Sequence, residues 1–296
     1  MLTLLRRLVG SAHLERLDLD RDFPDIEDLL AAEEWPFVRA DLEASHAQPR
    51  GAAFVARKDE RFAGFFAAHA FGDVAYLDMM IVAPAFRRRG VARPLYFRTM
   101  RALAQGGARG YVVHTTNDSA RLIRLLGFRP GTTYTLLRRE PREDRPVADE
   151  RLVWLGPEDR AAIVALDAAV FGRPRPAWIA ALLRQPGTRF AGWRDDGGLR
   201  AVLGLRPRRG GAYCLDLVSA SDEAAQDALV EAVWRLFDMN RLECFARTGS
   251  RLEAGLVAAG FEVPHFFEAI GPLVEWRKGR TDGVGDSPRM QCLSWF

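Results

Sequence analysis

A weak internal repeat limits how this chain can fold more than any other feature. Ala75-Tyr76-Leu77-Asp78 opens a strand-like run, and Leu126-Gly127-Phe128 closes a helix that follows it. Ala212-Tyr213-Cys214-Leu215 and Ala259-Gly260-Phe261 set the same two landmarks later in the chain. Self-similarity of this kind signals one structural plan used twice. Ala75 and Gly127 lie 52 positions apart and Ala212 and Gly260 lie 48 apart, so the second copy is about four residues shorter. A length of 296 residues suits two hydrophobic cores. Between the copies, Glu140 to Glu150 reads EPREDRPVADE, which is charged, proline-containing and without apolar period, as linkers are. The expected division is residues 1–146, residues 147–277 and a tail at 278–296, with the boundary near Val147.

Each copy reads as mixed α+β. In the first, a short strand at 14–17 precedes helices at 24–33 and 37–46. Three apolar runs follow at 52–57, 61–71 and 74–82, separated by the turn signals Lys58-Asp59 and Gly72-Asp73, which predicts an antiparallel meander. Helical period returns at Val91, Leu95 and Leu103, followed by a strand at 111–115, a helix at 119–126 and a strand at 132–137. The second copy repeats the order: helices at 157–171 and 176–184, strands near Arg189, Ala201 and Ala212, a helix at 223–237, a strand at 242–246 and a helix at 250–259. The fold class is therefore two tandem domains, each a mostly antiparallel sheet flanked by helices.

Charge and cysteine content narrow the function classes. Lys and Arg total 42 against 39 Asp and Glu, a net charge of +3, which is too balanced for a dedicated nucleic-acid binder. Cys214, Cys244 and Cys292 are far apart and form no C-x-x-C pair, so neither a disulfide framework nor a zinc site is expected and a reducing cytosol fits best. Arg6 and Arg7 interrupt the apolar start of the chain well short of a signal peptide or membrane span.

Val82-Ala83-Pro84-Ala85-Phe86-Arg87-Arg88-Arg89-Gly90-Val91-Ala92 carries the most chemical information. A strand ends at Val82, Pro84 turns the chain, and a helix begins near Val91. Gly90 permits an unusual dihedral, and a helix N-terminus offers N–H groups to an anion where the arginines also add charge. Pro94, in the first helical turn, is tolerated there but removes one donor.

This stretch resembles the acyl-CoA pyrophosphate loop of the GNAT superfamily of N-acyltransferases: Arg or Gln, two residues, Gly, one residue, then Gly or Ala. Arg87, Gly90 and Ala92 fill that pattern, with Arg88, Arg89 and Val91 inside it. The resemblance spans roughly Leu14 to Arg138. It implies that Met80, Ile81 and Val82 belong to the central strand whose backbone pairs with the pantetheine arm. It further implies an acyl-CoA donor, acetyl-CoA or another short acyl, and an amine acceptor.

Amine acylation needs a group to take the acceptor's proton. Asp78 sits four residues before Val82, where many family members carry a glutamate base, and is the leading candidate. Glu33 and Glu34 come second, and His114 is a possible relay. The family's usual general-acid tyrosine, four residues before Gly-Phe, corresponds here to Ile123. Tyr76 and Tyr96 are alternatives only if the fold turns them toward the thioester. The asparagine that often lies eleven residues before that glycine corresponds to Thr116, with Asn117 beside it. No metal is expected.

In the second copy, Leu215 to Asp222 replaces the loop and lacks R-x-x-G-x-A, and Asp222 and Glu223 would repel a phosphate. The arrangement resembles tandem GNAT proteins with a degenerate C-terminal copy. Arg206, Arg208 and Arg209 are expected in a hairpin turn, solvated first, or else facing an anionic acceptor or the first domain. The apolar end at Met290, Cys292, Leu293, Trp295 and Phe296 is expected to dock on a groove of the chain or a partner. The leading function is an acyl-CoA-dependent N-acetyltransferase acting on a small-molecule amine. A non-catalytic acyl-CoA sensor is the alternative from a different class, and a nucleic-acid binder ranks third.

Overall fold

A computed structural model describes residues 12–116, 119–141, 151–236 and 240–283. The expected boundary near Val147 and the apolar end of the tail fall outside these residues. The chain divides into two compact units, one ending at Tyr111 and the other beginning at Val112.

The first unit opens with β1 (His13–Arg16), α1 (Leu19–Ala32) and α2 (Arg39–His46). Helix α1 begins five residues before the position expected from Pro24, because Asp18 caps it, accepting from the N–H groups of Asp20 (3.1 Å) and Arg21 (3.3 Å). It ends with Glu34 at φ +56°, where the Trp35 N–H reaches back to the Leu30 carbonyl at 2.9 Å, the geometry of a Schellman cap on a residue other than glycine. Strands β2 (Ala52–Lys58), β3 (Arg61–Phe71) and β4 (Val74–Val82) form the expected antiparallel meander, with β1 on the outer side of β2. Asp59 and Glu60 both have positive φ in the tight β2–β3 turn, as a type I′ hairpin requires. Helix α3 (Ala92–Gln105) packs on β2, β3 and β4, and Ile26, Leu30, Leu42, Phe65, Met79 and Leu95 are fully buried.

Two features of the β3–β4 pair place the site. Gly64 lies opposite Val82 at φ +152°, and a Cβ there would stand 2.4 Å from the Ile81 carbonyl oxygen, so only glycine allows the strands this approach. Farther along, Ala67 pairs with Met79 while Ala68 pairs with Leu77, which leaves Asp78 as the extra residue of a β-bulge.

The second unit contains most of β5 (Gly110–Thr115), then α4 (Ala120–Leu125), β6 (Arg129–Arg139) and β7 (Leu152–Leu155). Next come α5 (Arg160–Phe171), α6 (Pro176–Arg184), β8 (Arg189–Asp195), β9 (Gly198–Pro207) and β10 (Tyr213–Ala220). Helix α7 (Glu223–Leu236), β11 (Leu242–Arg247), α8 (Arg251–Ala258), α9 (His265–Ile270) and β12 (Leu273–Gly279) complete it. Sequence periodicity did not reveal α9 or β12. Within this unit the strands run in the order β5-β12-β6-β11-β10-β9-β8-β7.

That order exchanges the last strands of the two sequence copies. Strand β6, from the first copy, pairs antiparallel with β11 from Leu242↔Arg139 to Arg247↔Tyr134, while β12, from the second, lies between β6 and β5. Leu137 of β6 is consequently buried in the core of the second copy, against residues that include Leu205, Leu229, Leu242 and Phe261. The compact units therefore part near β5, although the composition break lies after β6. Cys214 and Cys244 are both buried.

The Gly64 geometry gives a direct check. Gly64→Ala should destabilise the protein by about 3 kcal/mol, from a disfavoured dihedral and the clash with Ile81, measured as a lower denaturant midpoint. Wild-type stability would show that β3 and β4 do not approach this closely.

Candidate active site

The bulge turns Asp78 into the protein, where its carboxylate is 3% exposed. Oδ2 accepts from Ser45 Oγ of α2 at 2.7 Å and meets His69 Nδ1 of β3 at 2.6 Å. The His69 side chain is likewise 3% exposed, and its ring stacks on Tyr76 with centroids 5.7 Å apart and planes 9° from parallel. Phe71 meets the same ring edge-on at 4.6 Å. Three elements thus converge on one carboxylate.

Ser45 carries no sequence signal as a site residue, and His69 carries only a weak one. Ser45 lies on a short helix, and His69 is embedded in the apolar run FAAHAF. Only the pairing of β3 with β4 and the packing of α2 bring them to Asp78. A buried titratable residue within such a run was the available clue.

Past Val82 the chain makes one turn of 3₁₀ helix at Pro84–Phe86 and then an exposed loop from Arg87 to Gly90. Its backbone alternates. The N–H groups of Arg87 and Arg89 bond to the carbonyls of Pro84 and Phe86, at 3.3 Å each. Arg88 and Gly90 have positive φ, +59° and +80°, and no acceptor among the described residues takes the N–H groups of Arg88, Gly90, Val91, Ala92 or Arg93. Helix α3 begins without a side-chain cap, and a Cβ on Gly90 would meet nothing within 4 Å. Successive N–H groups around left-handed residues at an uncapped helix start make a concave donor array for an anion. The residues present therefore fit a pyrophosphate.

Arg87 fixes the loop's entrance. Its Nε donates to the Val82 carbonyl at 3.0 Å and its guanidinium pairs with Glu33. Glu33 is accordingly a loop anchor, and Glu34 stands exposed at the end of α1, while Met80, Ile81 and Val82 lie on β4 as expected.

Residues 17–128 match the acetyltransferase (GNAT) family. Over those residues the chain resembles a GNAT domain. Solved structures extend the likeness along the rest. A protein of Pyrococcus horikoshii described as a candidate acetyltransferase aligns over 97% of this chain and 95% of its own, with a TM-score of 0.76 and 15% identity. A tandem GNAT protein from the clavulanic acid biosynthesis pathway aligns over 92% of this chain and 100% of its own, at 0.64 and 18%. The glucosamine N-acetyltransferase region of a fungal multi-domain β-N-acetylglucosaminidase covers 90% of this chain and 38% of that one, at 0.63 and 14%. At these identities the likeness shows the fold, a tandem GNAT arrangement. No curated protein sequence matches.

The second GNAT-like copy has the same bulge, with different partners around its carboxylate. Leu215 pairs with Leu205 and Leu217 with Gly204, which leaves Asp216 as the extra residue on β10. Its carboxylate binds the buried Arg206 and, at 3.3 Å, Arg208. These two arginines, expected in a solvated or acceptor-facing turn, are instead the counter-ions of an internal charge, and only Arg209 of the three is exposed. At the start of α7 the Asp222 carboxylate accepts from the Ala225 N–H at 2.8 Å and from Arg200 at 2.6 Å. The Ala225 N–H first, then Ser221 and Arg200, hold Asp222 down to about 2. A carboxylate already occupies the place of a phosphate.

Other expected residues lie in the second unit. Thr116 follows β5 and its carbonyl accepts from the Ser119 N–H at 3.3 Å, whereas Asn117 falls outside the described residues. His114 Nε2 stands 3.4 Å from Glu275 of β12, and Ile123 is half-buried in α4. Cys214 is no nucleophile at neutral pH, because burial pushes its thiol up to about 12. Among the described residues no cluster of His, Cys, Asp and Glu could hold a metal ion.

Tyr96 of α3 stacks on Phe66 at 6.4 Å, and its buried hydroxyl has no partner among the described residues. Burial, with a smaller contribution from Tyr111, raises its ionisation above the ordinary phenol range, so it is a neutral donor at pH 7. Leaving a buried hydroxyl unpaired costs about 1–3 kcal/mol. Tyr96→Phe should therefore match or exceed wild-type thermal stability. A lower melting temperature would mean that the hydroxyl has a partner in solution.

Proposed function

We propose that this protein is an acyl-CoA-dependent N-acyltransferase that moves an acetyl or other short acyl group to the amine of a small molecule. The observation that carries the reading is the sequence of structures on one strand and its exit: a buried carboxylate on a bulge of β4, then a loop whose N–H groups face outward at the start of α3. The acyl-CoA supplies an activated thioester. Arg88, Arg89, Gly90, Val91 and Ala92 would hold its pyrophosphate, with Arg87 anchoring the loop to Glu33 and to β4. Met80, Ile81 and Val82 would align its pantetheine arm, and Thr116 and Asn117 would add contacts beyond it.

Asp78 is the proposed base. An ammonium acceptor must lose a proton before its nitrogen can attack, and the Asp78 carboxylate would take it. Ser45 donates to one carboxylate oxygen and His69 Nδ1 lies 2.6 Å from the same oxygen, so both would orient the carboxylate. Glu34, exposed near the end of α1, remains an acceptor-side candidate. A small-molecule amine fits the names of two structural neighbours, a biosynthetic-pathway protein and a glucosamine acetyltransferase region. We further assign residues 1–146 and 147–277 as the duplicated domains, the second having lost its donor site, and place the protein in the cytosol. No described helix is long and apolar enough to cross a membrane.

One observation favours a second reading. Ile123 occupies the position of the family's acid, and a chain that binds acyl-CoA without turnover would be a sensor. Thiol release across a panel of amino acids, amino sugars and polyamines separates the two. The enzyme reading predicts turnover with at least one amine, a loss of about 100-fold in kcat for Asp78→Asn at unchanged KM for acetyl-CoA, and a smaller loss for His69→Asn, which keeps a donor to Asp78. Acyl-CoA binding with no thiol release from any amine would establish the sensor instead.

A further inference from the structure

Beyond the acyl-transfer site, the exchanged strands build a second polar cavity. Gly131, Thr132 and Thr133 at the start of β6, Arg247 and Thr248 at the end of β11, and Arg277 of β12 line a pocket of about 460 Å³. All belong to the second unit. Its wall carries two guanidinium groups and three hydroxyls, and no carboxylate.

The surrounding bonds fix these groups in place. The Thr248 N–H donates to the Thr133 carbonyl at 2.9 Å, and the Thr248 hydroxyl lies 3.0 Å from that of Thr135. Glu275, 3% exposed, accepts from Arg277 Nε at 2.6 Å while His114 stands 3.4 Å from its other oxygen. Burial opposes the charge on Glu275, but His114 and Arg277 outweigh it and keep the carboxyl below its ordinary range. The ionised Glu275 therefore steers Arg277 from behind. Gly131 admits this pair: a Cβ there would stand 3.3 Å from Glu275 Oε1. Arg247 has no acidic partner among the described residues. With Glu275 balancing one arginine, the cavity keeps one net positive charge and a set of hydroxyl donors.

We propose that this pocket binds an oxyanion, a phosphate or carboxylate group of a small molecule, between Arg247 and Arg277 with the threonine hydroxyls beside it. Guanidinium forks match both groups in geometry. The hydroxyls supply donors suited to a tetrahedral phosphate as well as to a planar carboxylate. Nothing in the proposal depends on acyl-CoA binding by residues 83–93.

The test uses the full chain, inorganic phosphate and malonate as probes, and amide chemical shifts as the readout at fixed ionic strength. The expected result is saturable shifts centred on Thr132, Thr133 and Thr248, with at least a tenfold weaker Kd in Arg247→Ala and in Gly131→Val. Gly90→Glu, which disables the loop before α3, should leave these shifts unchanged. Tighter binding of phosphate assigns a phosphorylated ligand, and tighter binding of malonate assigns a carboxylate. No shifts at the three threonines with either probe would overturn the proposal, as would shifts that survive Arg247→Ala.

Discussion

A carboxylate that leaves water in the middle of a sheet must take its hydrogen-bond partners with it. Asp78 satisfies that requirement with Ser45 from α2 and His69 from β3, so helix, bulge and meander are fixed relative to one another by one oxygen. The same problem arises again at Asp216 and is solved differently. Two buried arginines neutralise it permanently. One carboxylate is thus paired with charge and the other with a hydroxyl and an imidazole. The repeat has therefore kept the same bulge in both halves and given its carboxylate different partners in each.

The helix that follows each bulged strand divides the halves in the same sense. At α3 the N-terminus is uncapped and reached through residues with positive φ, which leaves backbone donors facing outward. At α7 Asp222 already accepts from that first turn. A helix start can be capped by its own chain or left without a side-chain cap, and the two copies show each choice.

Much of the fold was legible because its signals are local. Alternating apolar runs and turn residues revealed β2, β3 and β4, and the spacing of Val91, Leu95 and Leu103 revealed α3. The loop before α3 was legible from Val82 to Ala92, where Pro84 and the Arg-Gly run lie between a hydrophobic strand and an amphipathic helix. What the sequence hid was partnership. Periodicity identifies β6 as a strand without saying that it pairs with β11, and it passed over β12, which completes the exchange. Asp78 was legible as a candidate base from its position before Val82. Its bulge, and the service of Ser45 and His69, depend on cross-strand register that no single segment encodes. The reading of Arg206 and Arg208 failed for the same reason: a basic turn looks solvated until a buried aspartate is found behind it.

The central claim is that the N–H array between Arg88 and Arg93 receives the pyrophosphate of an acyl-CoA. Calorimetric titration of acetyl-CoA into the wild type and into Gly90→Glu tests it most directly, because Gly90 is exposed, its Cβ would meet open space, and a carboxylate there would point into the donor array. The account predicts saturable binding by the wild type and none by a variant whose melting temperature stays within a few degrees. Equal affinity in both proteins would contradict it.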